Sequence, residues 1–194
     1  VHRQLASALP CPVGFKNGTH GNIRVAIDAI LASEASHLFT APGSQGGMVV
    51  IKSEGNPGGH IILRGGTLPN YHQSDVMDAA ERLARQGLNP RLMVDCSHGN
   101  SQKLHQNQLL VAGELCRQLR GGSTAVAAVM VESFLQGGSQ KPAPLSELQY
   151  GLSVTDACLG WEESETLLAM LADGVMARRQ FAHSHPIPLR NDLG

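Results

Sequence analysis

Four ionisable residues each close a short apolar run: Lys16 ends PVGFK, Arg64 ends HIILR, His98 follows LMVDCS, and Glu132 ends VAAVMVE. Asp156 follows in a polar stretch beyond the last of them. One imidazole with two carboxylates is a donor set for a divalent transition ion such as manganese, iron, cobalt or zinc, rather than for an all-oxygen calcium cage. Lys16 and Arg64 are cations suited to an anion, and arginine grips a phosphate or carboxylate in a two-point fork. Cations beside a metal point to a phosphorylated or carboxylate substrate. Taken singly, each residue has a plainer reading: His98 as a hydrogen-bonded structural group, Arg64 or Glu132 as a solvated or paired surface charge, Asp156 as a turn cap before Leu159-Gly160-Trp161. It is the repetition of one design at four strand ends that argues for a shared site.

The elements that must position these residues alternate. Residues 1–10 read as the end of a helix stopped by Pro10, and residues 12–15 as a strand running into a turn at Asn17-Gly18. Residues 22–36 carry apolar side chains at helical spacing, and residues 37–40 and 48–52 are short extended pieces around a Gly-rich turn, which suggests an inserted hairpin. Strand 59–63 precedes helix 74–86, whose ends fit Ser74, Asp75 and a Gly87 cap. Strand 91–96 precedes helix 103–120, with Leu104, Leu109, Ala112, Leu115 and Leu119 on the expected inward side. Strand 125–131 is followed by a polar loop over residues 137–155. A last helix spans 163–181 through Leu167, Leu168, Leu171 and Val175, and the tail 182–194 is expected to be flexible. The Gly65-Gly66 pair is a turn that would also let a ligand approach the backbone, though it is not a phosphate-loop motif.

Strands alternating with helices imply right-handed crossovers and a parallel sheet, with functional groups at the carboxyl ends of the strands. The pattern alone leaves open a doubly wound sheet or a barrel. A barrel of eight units takes about 250 residues, roughly 31 per unit. Here 34 residues separate Arg64 from His98 and again His98 from Glu132, while 48 separate Lys16 from Arg64, the excess matching the hairpin. Four units fit, so a barrel would be a half barrel.

At 194 residues, 42% hydrophobic and 16% charged, with net charge −1, the chain has the composition of one globular domain. It carries no basic stripe for nucleic acid or an anionic membrane surface, and no run of apolar residues long enough to cross a bilayer. Cys11, Cys96, Cys116 and Cys158 are widely spaced with no Cys-x-x-Cys pair, as expected of reduced thiols in a cytoplasmic protein. The chain opens on Val1 and enters a strand almost at once, so further sequence is expected upstream.

The motifs PVGFKNGT, GHIILRGGTLPNYH, MVDCSHGNSQK, VMVESFLQGGSQK and SVTDACLGWE occur in this order from about Leu5 to Arg179. Together they closely resemble the carboxyl-terminal portion of the class I 3-deoxy-D-arabino-heptulosonate 7-phosphate synthase family. The resemblance implies the last four βα units of a (β/α)8 barrel over residues 1–181. It implies condensation of phosphoenolpyruvate with erythrose 4-phosphate, the first step of the shikimate route to aromatic amino acids. Lys16 and Arg64 are then expected to hold phosphoenolpyruvate, Lys16 toward its carboxylate and Arg64 on its phosphate, with His98, Glu132 and Asp156 as metal ligands and Lys16, Arg64 and His98 as the catalytic set. It further implies a homo-oligomeric full-length enzyme and feedback inhibition by an aromatic amino acid. The family also uses a cysteine ligand and additional cations from earlier strands, and none of the four cysteines here matches that motif. Two readings follow: a portion of a working synthase that is inactive alone, or a truncated, non-catalytic product that associates with full-length subunits. A third, an unrelated metal-dependent aldolase or hydrolase on a similar scaffold, fits the motif order poorly.

Overall fold

The computed structural model describes residues 2–184; residues 185–194, most of the expected flexible tail, lie outside them. The elements are α1 (His2–Ser7), β1 (Val13–Lys16), α2 (Arg24–Glu34), β2 (Leu38–Pro42), β3 (Met48–Lys52), β4 (Gly59–Leu63), α3 (Gln73–Arg85), β5 (Leu92–Asp95), α4 (Asn107–Arg120), β6 (Val126–Met130) and α5 (Trp161–Ser184). A single 3-10 turn, Leu145–Glu147, interrupts the long polar loop.

Four strands pair in parallel in the order β1-β4-β5-β6, and β2 and β3 form a separate antiparallel pair. Alternation along each strand decides which residues face the helices. Ile61 and Leu63 of β4, Leu92, Val94 and Cys96 in and after β5, and Val126 of β6 join Ile27 and Ile30 of α2, Val76 and Leu83 of α3, Leu115 of α4 and Leu167 of α5 in one continuous core. The intervening positions, among them Lys16, Ile62 and Asp95, face the other side of the sheet. Between Leu92 and Met93 the register against β6 slips, so that Met93 pairs with Ala128. That bulge returns Met130 and Glu132 to the same face as Asp95. The helix caps follow local chemistry. Helix α3 ends in a Schellman motif, with Gly87 at φ 72°, its N–H donating to Ala84 O and the Leu88 N–H donating to Leu83 O.

Two expectations for the helices need correction. Helix α4 begins at Asn107, and Leu104 lies before it, 56% exposed. The cause is the turn after β5, where His98, Gln102 and Lys103 all adopt positive φ (53°, 54° and 62°) and the Lys103 N–H returns to His98 O at 2.9 Å. Such backbone cannot propagate a helix. Helix α5 begins at Trp161 and runs through Ser184. It turns Leu167 and Gly174 inward while Leu168 stays 64% exposed. Gly174 is where α5 touches α4: a Cβ there would sit 3.3 Å from Cys116 Cα.

Candidate functional site

The strand tips are locked together by three asparagines that the sequence presents as turn residues. Asn17, 3% exposed, accepts the Arg64 N–H at 2.8 Å and donates to Gly65 O at 2.8 Å. Asn70 accepts the Gly65 N–H at 2.7 Å and donates to Asn17 Oδ1 at 3.2 Å. Asn100 donates to both Leu63 O (3.1 Å) and Asp95 O (2.8 Å) and accepts the Asn70 N–H at 2.8 Å. Backbone groups that leave the sheet ladder therefore find partners without water. The glycines belong to the same packing. A Cβ on Gly65 would lie 2.5 Å from Asn100 N, and one on Gly66 would lie 2.3 Å from Gly21 N. Both glycines border the cavity, but neighbouring backbone, not a ligand, is what forbids a side chain there.

Above this floor lies an open cavity of about 330 Å3 that Arg64, His98, Glu132 and Asp156 all border. His98 Nε2 is 3.7 Å from Glu132 Oε1, and one ligand atom each from His98, Glu132 and Asp156 lie within 4.8 Å of one another. Four of the five expected site residues thus share one cavity. Lys16 stands apart from its wall: its Nζ lies 3.1 Å from Asp95 Oδ2.

Asp95 is the residue that sequence reasoning missed, because it reads as the end of an apolar strand. It is fully buried. Its Oδ1 accepts the Ser97 N–H at 2.9 Å and the Ser97 hydroxyl at 2.6 Å. Its Oδ2 accepts no well-directed hydrogen bond, and lies 3.1 Å from Lys16 Nζ and 2.9 Å from His98 Nδ1. Gln108 was missed as well. It is buried on α4, donates to Glu132 O at 3.0 Å and accepts the Glu132 N–H at 2.9 Å, fixing the backbone from which the carboxylate projects. Lys103 and His105 also border the cavity and add positive and titratable groups that strand-tip logic could not find.

Partial burial raises the proton affinity of the Glu132 carboxyl above the usual range, the His98 ring opposes that shift, and the nearby carboxylates of Asp156 and Asp95 reinforce it. A site that concentrates carboxylates in this way is relieved by a cation. His98 is oriented to bind such a cation, with Nδ1 engaged by Ser97 and Asp95 while Nε2 faces Glu132. The residues present therefore fit three ligands of a divalent transition ion. Cys96 does not join them: it is fully buried on the helix-facing side, where burial first and the Asp95 charge second push its thiol up to about 12. Among the described residues, no helix is long and apolar enough to cross a membrane.

Comparison with known proteins gives this α/β arrangement a family. Phospho-2-dehydro-3-deoxyheptonate aldolase from Francisella tularensis SCHU S4 superposes with a TM-score of 0.88 at 41% identity, over 92% of this chain and 52% of that one. The Trp-sensitive phospho-2-dehydro-3-deoxyheptonate aldolase of Enterobacter agglomerans is 54% identical over 178 residues, 92% of this chain and 51% of the relative. Its counterpart in Escherichia coli K12 is 53% identical over the same length. The chain spans about half the length of the curated relatives it matches. The family profile of DAHP synthetase I covers residues 1–169, all five strand-tip and loop positions included, and the chain therefore belongs to the DAHP synthetase I family.

Proposed function

We propose that this chain forms the carboxyl-terminal half of a metal-dependent 3-deoxy-D-arabino-heptulosonate 7-phosphate synthase, a cytoplasmic transferase. The reaction joins phosphoenolpyruvate, erythrose 4-phosphate and water to give 3-deoxy-D-arabino-heptulosonate 7-phosphate and phosphate. In this reading, residues 1–181 are the last four βα units of a (β/α)8 barrel, and the β2–β3 pair is an insertion between α2 and β4. The observation that carries the reading is the meeting of His98, Glu132 and Asp156 ligand atoms within 4.8 Å, in a cavity that Arg64 also borders.

Each residue then has a task. Arg64 grips the phosphate of phosphoenolpyruvate through two parallel N–H donors, its backbone held by Asn17. Lys16 places a positive charge toward the substrate carboxylate from its seat beside Asp95. His98, Glu132 and Asp156 hold the divalent ion, manganese, iron, cobalt or zinc, which when bound supplies Lewis-acid polarisation of the aldehyde. Holding two anionic substrates side by side is where fixed cations contribute most to rate. The whole protein is proposed to be a homo-oligomer subject to feedback by an aromatic amino acid, a sensitivity that the names of the Enterobacter and Escherichia relatives carry for tryptophan.

Calorimetric titration tests the binding half of this reading. The chain should bind Mn2+, and binding of phosphoenolpyruvate should weaken in Arg64→Ala. Reconstitution with the amino-terminal half of the Enterobacter relative should yield phosphate release that requires both substrates and stops with a chelator. Binding of neither Mn2+ nor phosphoenolpyruvate would refute the assignment. The second reading, an inactive piece that associates with full-length subunits, draws on the open outer edges of β1 and β6 at either side of the sheet. Co-purification with a full-length subunit and no turnover on reconstitution would favour it.

A further inference from the structure

We propose that Asp95 is a positioning residue that dictates which ring nitrogen of His98 carries the proton, and so keeps Nε2 bare for a metal ion. The inference rests on the metal-binding reading above for its purpose, but not for its geometry. An ionised carboxylate can only accept hydrogen bonds. Asp95 Oδ1 already takes the Ser97 backbone N–H at 2.9 Å, and the Ser97 hydroxyl lies 2.6 Å away, so that hydroxyl must donate its proton to Asp95. Ser97 has one hydroxyl proton. Toward His98 Nδ1, 2.6 Å from the same oxygen, it can therefore only accept, and Nδ1 must be the protonated nitrogen. Asp95 Oδ2, 2.9 Å from Nδ1, reinforces the same choice by charge. The neutral ring then has its lone pair on Nε2, the atom 3.7 Å from Glu132 Oε1.

The arrangement is built, not incidental. Asp95 is fully buried, and the charge facing its Oδ2 is Lys16, 3.1 Å away on β1, so one carboxylate braces both the proposed ligand His98 and the proposed substrate cation. His98 itself sits at φ 53°, a conformation that a residue other than glycine adopts at a cost. The Ser97 and Asp95 contacts to its side chain help to hold it there.

Asp95→Asn separates this role from simple support. The Ser97 N–H keeps the amide oxygen at the Oδ1 position, which places the amide nitrogen against His98 Nδ1. With no carboxylate charge left to hold the Ser97 proton, the Ser97 hydroxyl is free to turn and donate to Nδ1, and the amide donor facing Nδ1 favours the same choice, so the ring proton moves to Nε2. Long-range 1H–15N correlation spectra of the 15N-labelled chain at about pH 8, above the ordinary histidine range, read the protonated nitrogen directly. Wild type should show His98 protonated on Nδ1 and Asp95→Asn should show it on Nε2. Ser97→Ala, which leaves the Asp95 Oδ2 contact intact, should keep Nδ1 protonated. Mn2+ affinity should fall about 10- to 100-fold in Asp95→Asn, as for other outer-shell partners of metal-bound histidine. An Nε2-protonated ring in wild type overturns the proposal even if the variant fails to fold, and so does Asp95→Asn with an unchanged tautomer and unchanged Mn2+ affinity. Failure of the wild-type chain to bind Mn2+ would sink the metal reading alone, because the spectra would still decide the role of Asp95.

Discussion

Replacing Asn17 by alanine tests whether the asparagine network, rather than the strands alone, holds the cation-bearing tips in place. Asn17 Oδ1 accepts the Arg64 N–H at 2.8 Å, and its Nδ2 donates to Gly65 O and to Gly18 O, each at 2.8 Å. Gly18 and Asn70 are only half-buried, so water can replace what they lose. Gly65 is buried against the backbone of Gly99 and Asn100, so its carbonyl would be left unpaired, and the part-buried Arg64 N–H loses its acceptor as well. An unsatisfied buried polar group costs about 1–3 kcal/mol, so the variant should lose about 2–4 kcal/mol of stability. That is a large fraction of the 5–15 kcal/mol that holds a domain of ordinary stability, so ~2–4 kcal/mol should be plain in a urea titration. The assay is urea unfolding followed by circular dichroism, with Asn89→Ala as control. Asn89 is exposed and makes a comparable bond to the Arg91 N–H at 3.1 Å, and its loss should cost no more than about 0.5 kcal/mol. If Asn17→Ala loses no more than Asn89→Ala, the network is decorative and the reasoning fails.

Three further outcomes follow from the site and its surroundings. His98→Ala and Glu132→Ala should each lower Mn2+ affinity by more than about 100-fold, since loss of an outer-shell partner alone costs about 10–100-fold; calorimetry showing wild-type affinity in either would refute the ligand assignment. Arg64→Ala should weaken phosphoenolpyruvate binding about 10- to 100-fold, the equivalent of one strong charge-assisted contact, with Mn2+ affinity unchanged as the internal control. Glu114 on α4 has its carboxyl held below the usual range, chiefly by the hydrogen bonds that Arg117 donates at 2.7 Å. A depressed carboxyl stabilises the fold above its unfolded pKa and loses that contribution as pH falls through the folded value. The stability difference between wild type and Glu114→Gln should therefore be constant near neutrality and shrink in acid below about pH 4.5, the ordinary glutamate value; a difference that grows in acid would contradict the sign.

The sequence made the strand tips legible because each combines an apolar run with an abrupt ionisable end, a local signal. Ile61, Leu63, Leu92 and Val94 are buried as alternation requires. What stayed hidden depends on partners far away in the chain. Asp95 looks like the polar end of a strand until Lys16 and His98 are seen on either side of it, and Asn17, Asn70 and Asn100 have turn-like local context but network function. Gln108 escaped for a related reason. Helical periodicity counts apolar side chains, so a fully buried amide facing the core is invisible to it, even though it occupies an inward position beside Val111, Ala112 and Leu115. Leu104 failed in the opposite direction, an apolar residue at plausible spacing placed outside the helix by the positive-φ turn.

The three proposed ligands are not independently supported, and Glu132 is the junction between them. Its carbonyl accepts both the Gln108 side chain at 3.0 Å and the Leu159 N–H at 2.9 Å. The Phe134 N–H returns to Leu159 O at 2.9 Å, and Gly138 exchanges backbone bonds with Cys158. The loop that carries Asp156 is thus hung from the backbone of Glu132 and its successors, whereas His98 is braced from the other side by Asp95 and Ser97. Glu132 and the loop that carries Asp156 are therefore tied together through backbone, and the buried amide of Gln108 on α4 holds Glu132 in turn. Such a design concentrates precision on a residue that borders the cavity from α4 and holds Glu132 by its backbone. It also explains why Gln108, with both ends of its amide satisfied by Glu132, is tolerated at full burial beside Val111, Ala112 and Leu115.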